Sequence, residues 1–221
     1  MLIDDYVAAL GRAIVGPPGP KRDMVVEARD SLVDAAEALE ADGLPRVEAE
    51  RIAVAEFGAI GEVAPGYQEE LTACAGRRLG VLLTVVGPLT WLIWYGVWRL
   101  FPGDPAAWAD RPDWFTTVSR LMDGLQLFTG VLGLLTLLAL TRVGRALGDV
   151  RLVTRMAAVY VWVLLPVTVG LCIPLMYGAE PVGGAQAYGP WAGAALATSA
   201  LMGWQLRSAG VCLRLTRIRT A

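Results

Sequence analysis

Apolar and polar positions follow two regimes along this chain. Up to about residue 75, apolar residues recur at helical spacing among acids; beyond residue 78 they run in long uncharged blocks. Leu2, Ile3, Tyr6, Leu10 and Ile14 share one face of an amphipathic helix, and Gly16-Pro17-Pro18-Gly19-Pro20 breaks it. A second helix is predicted from near Pro20 to about Asp42. In it Val25, Leu32 and Leu39 recur every seven residues, and Val33 and Ala36 widen the stripe. Gly43 is its expected C-cap. Pro45 opens a third helix with Val47, Ile52, Ala55 and Phe57 as expected core, and Gly58 closes it. A fourth helix, from about Gly61, carries Glu62, Glu69 and Glu70 and leads into the first apolar block.

That block, residues 79–99, reads LGVLLTVVGPLTWLIWYGVWR and holds no charge between Arg78 and Arg99. At a rise of about 1.5 Å per residue, about 20 such residues span the hydrocarbon core of a bilayer. Comparable blocks follow at about 121–141, 156–177 and 190–206, separated by Pro-, Gly- or Arg-rich segments read as loops at 101–120, 142–155 and 178–189. The pattern predicts an all-α membrane protein. It has a small N-terminal cytoplasmic helical bundle over residues 1–75 and a four-helix transmembrane domain over residues 76–221.

Charge sharpens the division. Residues 1–76 carry 15 Asp and Glu against 6 Lys and Arg, whereas residues 77–221 carry 13 Arg against 6 acids. An acidic head argues against direct nucleic-acid binding, which needs a basic face for phosphates. On one set of span flanks lie ten arginines (77, 78, 142, 145, 151, 155, 207, 214, 217 and 219), and on the other only Arg99, Arg111 and Arg120. The positive-inside rule then puts both termini in the cytoplasm of a multi-pass protein of the cytoplasmic (inner) cell membrane. Trp94, Trp98, Trp108, Trp114, Tyr177, Tyr188 and Trp191 all fall at the opposite, outer ends, as an aromatic belt would. The start, MLIDDYVAALGRA, lacks the basic and apolar regions of a signal peptide, so the first block is expected to insert uncleaved.

Candidate chemistry is sparse. The chain has no His and no Asn, and Cys74, Cys172 and Cys212 form no CxxC. His triads and His metal sites are thereby excluded, the cysteines read as fillers, and no P-loop or cofactor motif occurs. No enzyme activity, cofactor or metal is expected. Asp123 is the one acid near a span interior, where an ionisable group is a functional candidate by default, although Arg120 lies close by. Pro88, Pro166 and Pro174 fit plain kinks or the broken helices of a transporter. Gly144-x-x-x-Gly148 and Gly189-x-x-x-Gly193 match a close-packing spacing in a Gly-rich chain. Glu27, Asp30, Asp34 and Glu37 on the second helix form either a solvated surface or a partner-docking face. A head of this size with few large apolar residues needs support from the membrane domain, a second copy or a partner.

The segment PKRDMVVEARDSLVDAAEALEADGLPRVEAERIAVAEFGAIGEVAP resembles the permease prefix domain, also called the HAAS signalling domain. Pro20-Lys21-Arg22 matches its helix start, and Glu27-Ala28-Arg29-Asp30-Ser31-Leu32 its acidic helix. Gly43, Glu48-Ala49 and the closing Phe57-Gly58 follow at matching spacing. Ala28 stands where the family favours Leu, and Ser31 where it often has His. The resemblance covers roughly residues 1–75. It implies a membrane-associated signalling or regulatory protein whose head docks a cytoplasmic partner such as a PadR-type regulator. The alternative it implies is an accessory or permease subunit of an ABC-type transporter. The scarcity of polar residues in the spans, Gln126 and Gln205 apart, favours the first. Bilayer lipid and a homo-oligomeric partner complete the expected contacts.

Overall fold

A computed structural model describes residues 2–101, 112–141, 149–178 and 185–217, apart from the side chains of 176–178 and 185–188. Every regular element among them is helical: α1 (Leu2–Ala13), α2 (Pro18–Ala41), α3 (Arg46–Phe57), α4 (Ile60–Leu100), α5 (Asp113–Ala139), α6 (Val150–Gly178) and α7 (Ala185–Arg217). They form two compact units, residues 1–75 with 214–221, and residues 76–213. α4 is one helix carrying residues of both.

The first unit is built on α1. Ile3, Tyr6, Val7, Leu10 and Ile14 are buried with Leu32 of α2 and Leu71 of α4. The seven-residue stripe of α2 centres on Leu32, with Val25 and Leu39 half-buried against the core. Gly43 ends α2 in the left-handed region at φ 96°, and the Leu44 amide reaches back to the Leu39 carbonyl. The expected face of α3 holds in part: Phe57 packs against the core and Ile52 is half-buried. Val47 is 75% exposed and Ala55 is exposed, whereas Ala49, Glu50 and Ala53 are buried. Small residues make this contact (Ala28, Ala36, Ala49 and Ala53) because helices can approach closely only where side chains are short.

Buried Glu50 has a specific task. Its Oε2 accepts the Leu2 amide at 3.0 Å, and its Oε1 faces Arg46 Nε at 3.4 Å. It thus satisfies a free N–H at the start of α1 from a neighbouring helix. Glu50→Ala is expected to cost about 1–3 kcal/mol, and Glu50→Gln less, read from hydrogen exchange of the α1 amides.

The second unit holds the membrane signature. Residues 60–100, 113–139 and 150–175 are three helices long and apolar enough to cross a membrane, as in a multi-pass membrane protein. Their exposed faces are apolar too, with Val81, Leu127, Phe128, Leu135, Val163 and Ile173 among the residues left uncovered. α7, which holds the expected 190–206 span, is 33 residues long but is not one of the three. Ala, Gly, Ser and Thr supply much of its length, and such residues gain little by leaving water. Three boundaries also differ from the sequence reading. α5 starts at Asp113, inside the expected 101–120 loop, because Pro112 is extended and Asp113 suits a first turn. α6 starts at Val150, where the Asp149 carboxylate accepts the Arg151 amide at 2.8 Å. α7 begins at Ala185, inside the expected 178–189 loop, and runs on to Arg217, with Arg214 and Arg217 suiting its C-terminal dipole. Trp108, Arg111, Arg142, Arg145 and Arg219 lie outside the described residues, as do 179–184.

α4 and α5 meet backbone to backbone. A Cβ on Gly87 would overlap the Gln126 carbonyl oxygen and stand 3.1 Å from the Gly130 nitrogen. One on Gly133 would overlap the Thr84 amide nitrogen and stand 2.7 Å from the Gly80 oxygen. Pro88 packs on Gly130. This is the small-residue contact that draws membrane helices together. Among the described residues the Gly189-x-x-x-Gly193 pair meets nothing within contact distance, and Gly144-x-x-x-Gly148 lies outside them.

Candidate functional site

The acidic face of α2 is built as the spacing implies. Glu27, Asp30, Asp34 and Glu37 fall at i, i+3, i+7 and i+10, so they line one stripe about 15 Å long. All four are exposed, and none enters an ion pair among the described residues. Leu32 and Ala36 anchor the opposite face in the core, which fixes the direction of the stripe. Arg29, beside it, is spent on Asp4 of α1 at 3.2 Å. That pair is half exposed and holds orientation more than stability. Glu48 and Arg51 form a second surface pair on α3, and the guanidinium holds the Glu48 carboxyl below the usual carboxylate range.

The closing Phe57-Gly58 has a physical role that its motif alone does not disclose. The Phe57 ring meets Tyr6 edge-on at 5.7 Å, and the Tyr6 hydroxyl donates to the Gly58 carbonyl at 2.8 Å. Gly58 has φ 105°, a conformation other residues rarely adopt. Burial pushes the Tyr6 and Tyr67 phenols up. The Tyr6–Phe57 contact and the Tyr6–Gly58 hydrogen bond therefore fasten the end of α3 to α1.

Gln68 is the functional-unit residue that pattern reading misses. It is 1% exposed, and its amide takes both polar groups of Val15: Nε2 donates to the carbonyl at 2.9 Å, and Oε1 accepts the amide at 2.9 Å. The Gly16–Pro20 break is thereby fixed to α4. A single Gln in a helix gives no periodic signal; its place one turn before buried Leu71 and Thr72 is the only hint.

Asp123 stands apart from these residues, exposed on α5 one turn after exposed Arg120, and no ion pair joins the two. α6 runs unbroken through Pro166 and Pro174, and α4 through Pro88, so these prolines do not split their helices. Trp94, Trp98, Phe115 and Trp191 form one aromatic cluster, with Trp98 and Trp191 edge-on at 4.5 Å. Cys74, Cys172 and Cys212 are free thiols, and burial pushes Cys212 up to about 12. A thiol so held is a poor nucleophile. No group of three or more metal-ligating side chains converges among the described residues. Chemically, the first unit offers a negatively charged contact surface on a rigid helix. No family model, curated protein or solved structure matches this chain.

Proposed function

We propose that this protein is a signalling or regulatory protein of the cytoplasmic membrane. Its helical head, in the cytoplasm, docks a protein partner through the acidic stripe of α2. The observation that carries the reading is the row of four exposed, unpaired carboxylates at Glu27, Asp30, Asp34 and Glu37. Such a row recognises a basic partner surface, and complementarity of this kind sets specificity and encounter rate. The resemblance of residues 20–65 to the permease prefix (HAAS) domain supports the same class of partner, a cytoplasmic regulator of the PadR type. The arginine count on the two sets of flanks supports four spans, with α7 as the fourth, and both termini inside.

The triple change Glu27→Ser, Asp30→Ser, Asp34→Ser tests the stripe. All three are exposed, so folding and insertion should be unchanged while partner retention in a gentle-detergent pull-down falls strongly. Salt at about 0.5 M should weaken wild-type retention in the same direction. Full retention by a folded triple variant would sink the docking face.

The second reading is an accessory or permease subunit of an ABC-type transporter. It draws on Gln126 and Gln205, two amides within the apolar helices of the second unit. An ATPase subunit recovered in stoichiometric amount in that pull-down would favour it. A DNA-binding regulator lost on deletion of residues 1–75 would favour the first.

A further inference from the structure

The second unit contains a cavity of about 20 Å³ with polar groups set in a mostly apolar wall. α4 contributes Thr90 to its wall, α5 Gln126 and Thr129, α6 Thr168, and α7 Met202 and Gln205; the rest is aliphatic. Thr90, Thr129, Thr168 and Gln205 are each more than nine-tenths buried. The Thr129 and Thr168 hydroxyls donate to carbonyls one turn back, and Thr129 Oγ1 also lies 3.0 Å from the Tyr160 hydroxyl, so what capacity remains on them can only accept. Gln126 and Gln205 each bring an NH₂ donor pair and a carbonyl acceptor, and neither amide makes a hydrogen bond among the described residues. No charged side chain lines the space.

Gln205 is buried and Gln126 half-buried; an amide held among apolar helices without a partner is destabilising, and lipid supplies none. A cavity needs about 10–15 Å³ to admit one water, and the water needs 2–4 polar partners. Here both conditions are met, with donors and acceptors on four different helices. We propose that this cavity is a binding site for a single ordered water, which bridges Gln126 of α5 to Gln205 of α7 with threonine hydroxyls as further partners. The absence of charge selects a small neutral hydrogen-bonding molecule over an ion. The site joins the last helix to the others by a polar contact where α7 lacks strong apolar packing. The inference rests on the reading of α7 as a fourth span.

Hydroxyl-radical footprinting of the full chain in phosphatidylcholine nanodiscs tests it. Lipid excludes bulk water at this depth, so radicals form only beside bound water. Met202 faces the cavity, whereas Trp204, two residues on, is 58% exposed on the outer face of α7. Both side chains react rapidly with the radical. Met202 should be oxidised several-fold faster than Trp204, and Gln205→Leu or Gln126→Leu should remove most of that excess. Met202 as silent as Trp204 means a dry cavity and overturns the site while leaving the fourth span intact. Trp204 oxidised as fast as residues outside the bilayer means that α7 is not in lipid, which overturns both. The comparison within the wild-type chain stands even where a Leu variant fails to fold.

Discussion

Gly133→Leu is expected to abolish the folded second unit. The new Cβ alone would overlap the Thr84 amide nitrogen and stand 2.7 Å from both the Gly80 oxygen and the Leu83 Cβ. Two of these three neighbours are backbone, which cannot swing aside as a side chain can. Overpacking costs typically 1–3 kcal/mol when side chains absorb it, so a cost of about 3 kcal/mol or more is expected here. α4 and α5 must separate, and the separation opens every contact made through Gly87 and Gly130. Gly124→Leu, on the same helix with nothing within 4 Å of its Cβ, is the matched control and should be tolerated. Thermal unfolding in detergent, followed by the monodisperse fraction on size exclusion, separates the two. A Gly133→Leu protein as stable as Gly124→Leu would refute the backbone crossing.

Gln68→Leu should release α1 from the first unit. The substitution removes two hydrogen bonds and leaves the Val15 amide and carbonyl without their partner. Each bond is worth about 0.5–1.5 kcal/mol net, so a loss of about 1–3 kcal/mol follows. Against the 5–15 kcal/mol stability of a typical domain, and less for a unit this small, that is a large share. Faster hydrogen exchange across Leu2–Ala13 and protease cleavage within Gly16–Pro20 are the expected readouts. Retained protection of α1 would show that the apolar face of Ile3, Tyr6, Leu10 and Ile14 holds it unaided.

What could be read in the chain follows from which physical signal each feature leaves. The burial of α1, the Leu32 stripe and the Gly43 and Gly58 stops came through because periodicity and glycine are local signals. The three apolar helices came through because length and hydropathy are cumulative. On α3, Phe57 came through but Val47 did not, because hydropathy ranks Val47 above Ala49, while close helix approach rewards the smaller side chain. The acidic stripe was legible as spacing, but its lack of ion pairs needed the neighbours of each carboxylate. Glu50 and Gln68 were illegible: each is polar, each is buried, and each serves a backbone group about 50 residues away. The glycines of the α4–α5 crossing were visible as residues, yet Gly189-x-x-x-Gly193, the motif spacing singled out within the described residues, is not the one that makes contact. The two glutamines stood out as rare polar residues, and only the packing of four helices brings them to one cavity.

The glycine crossing has a consequence for how the chain matures. Gly80, Gly87, Gly130 and Gly133 freeze no rotamers when they meet, so these four positions add no side-chain entropy cost to the α4–α5 contact. It joins neighbouring helices, and nearby contacts form sooner than distant ones. The hairpin can therefore close while the ribosome is still making α7. Gln205 is the late arrival, and it meets a surface already presenting Gln126 and Thr129. Synthesis in that order lets α7 seal the cavity rather than found it.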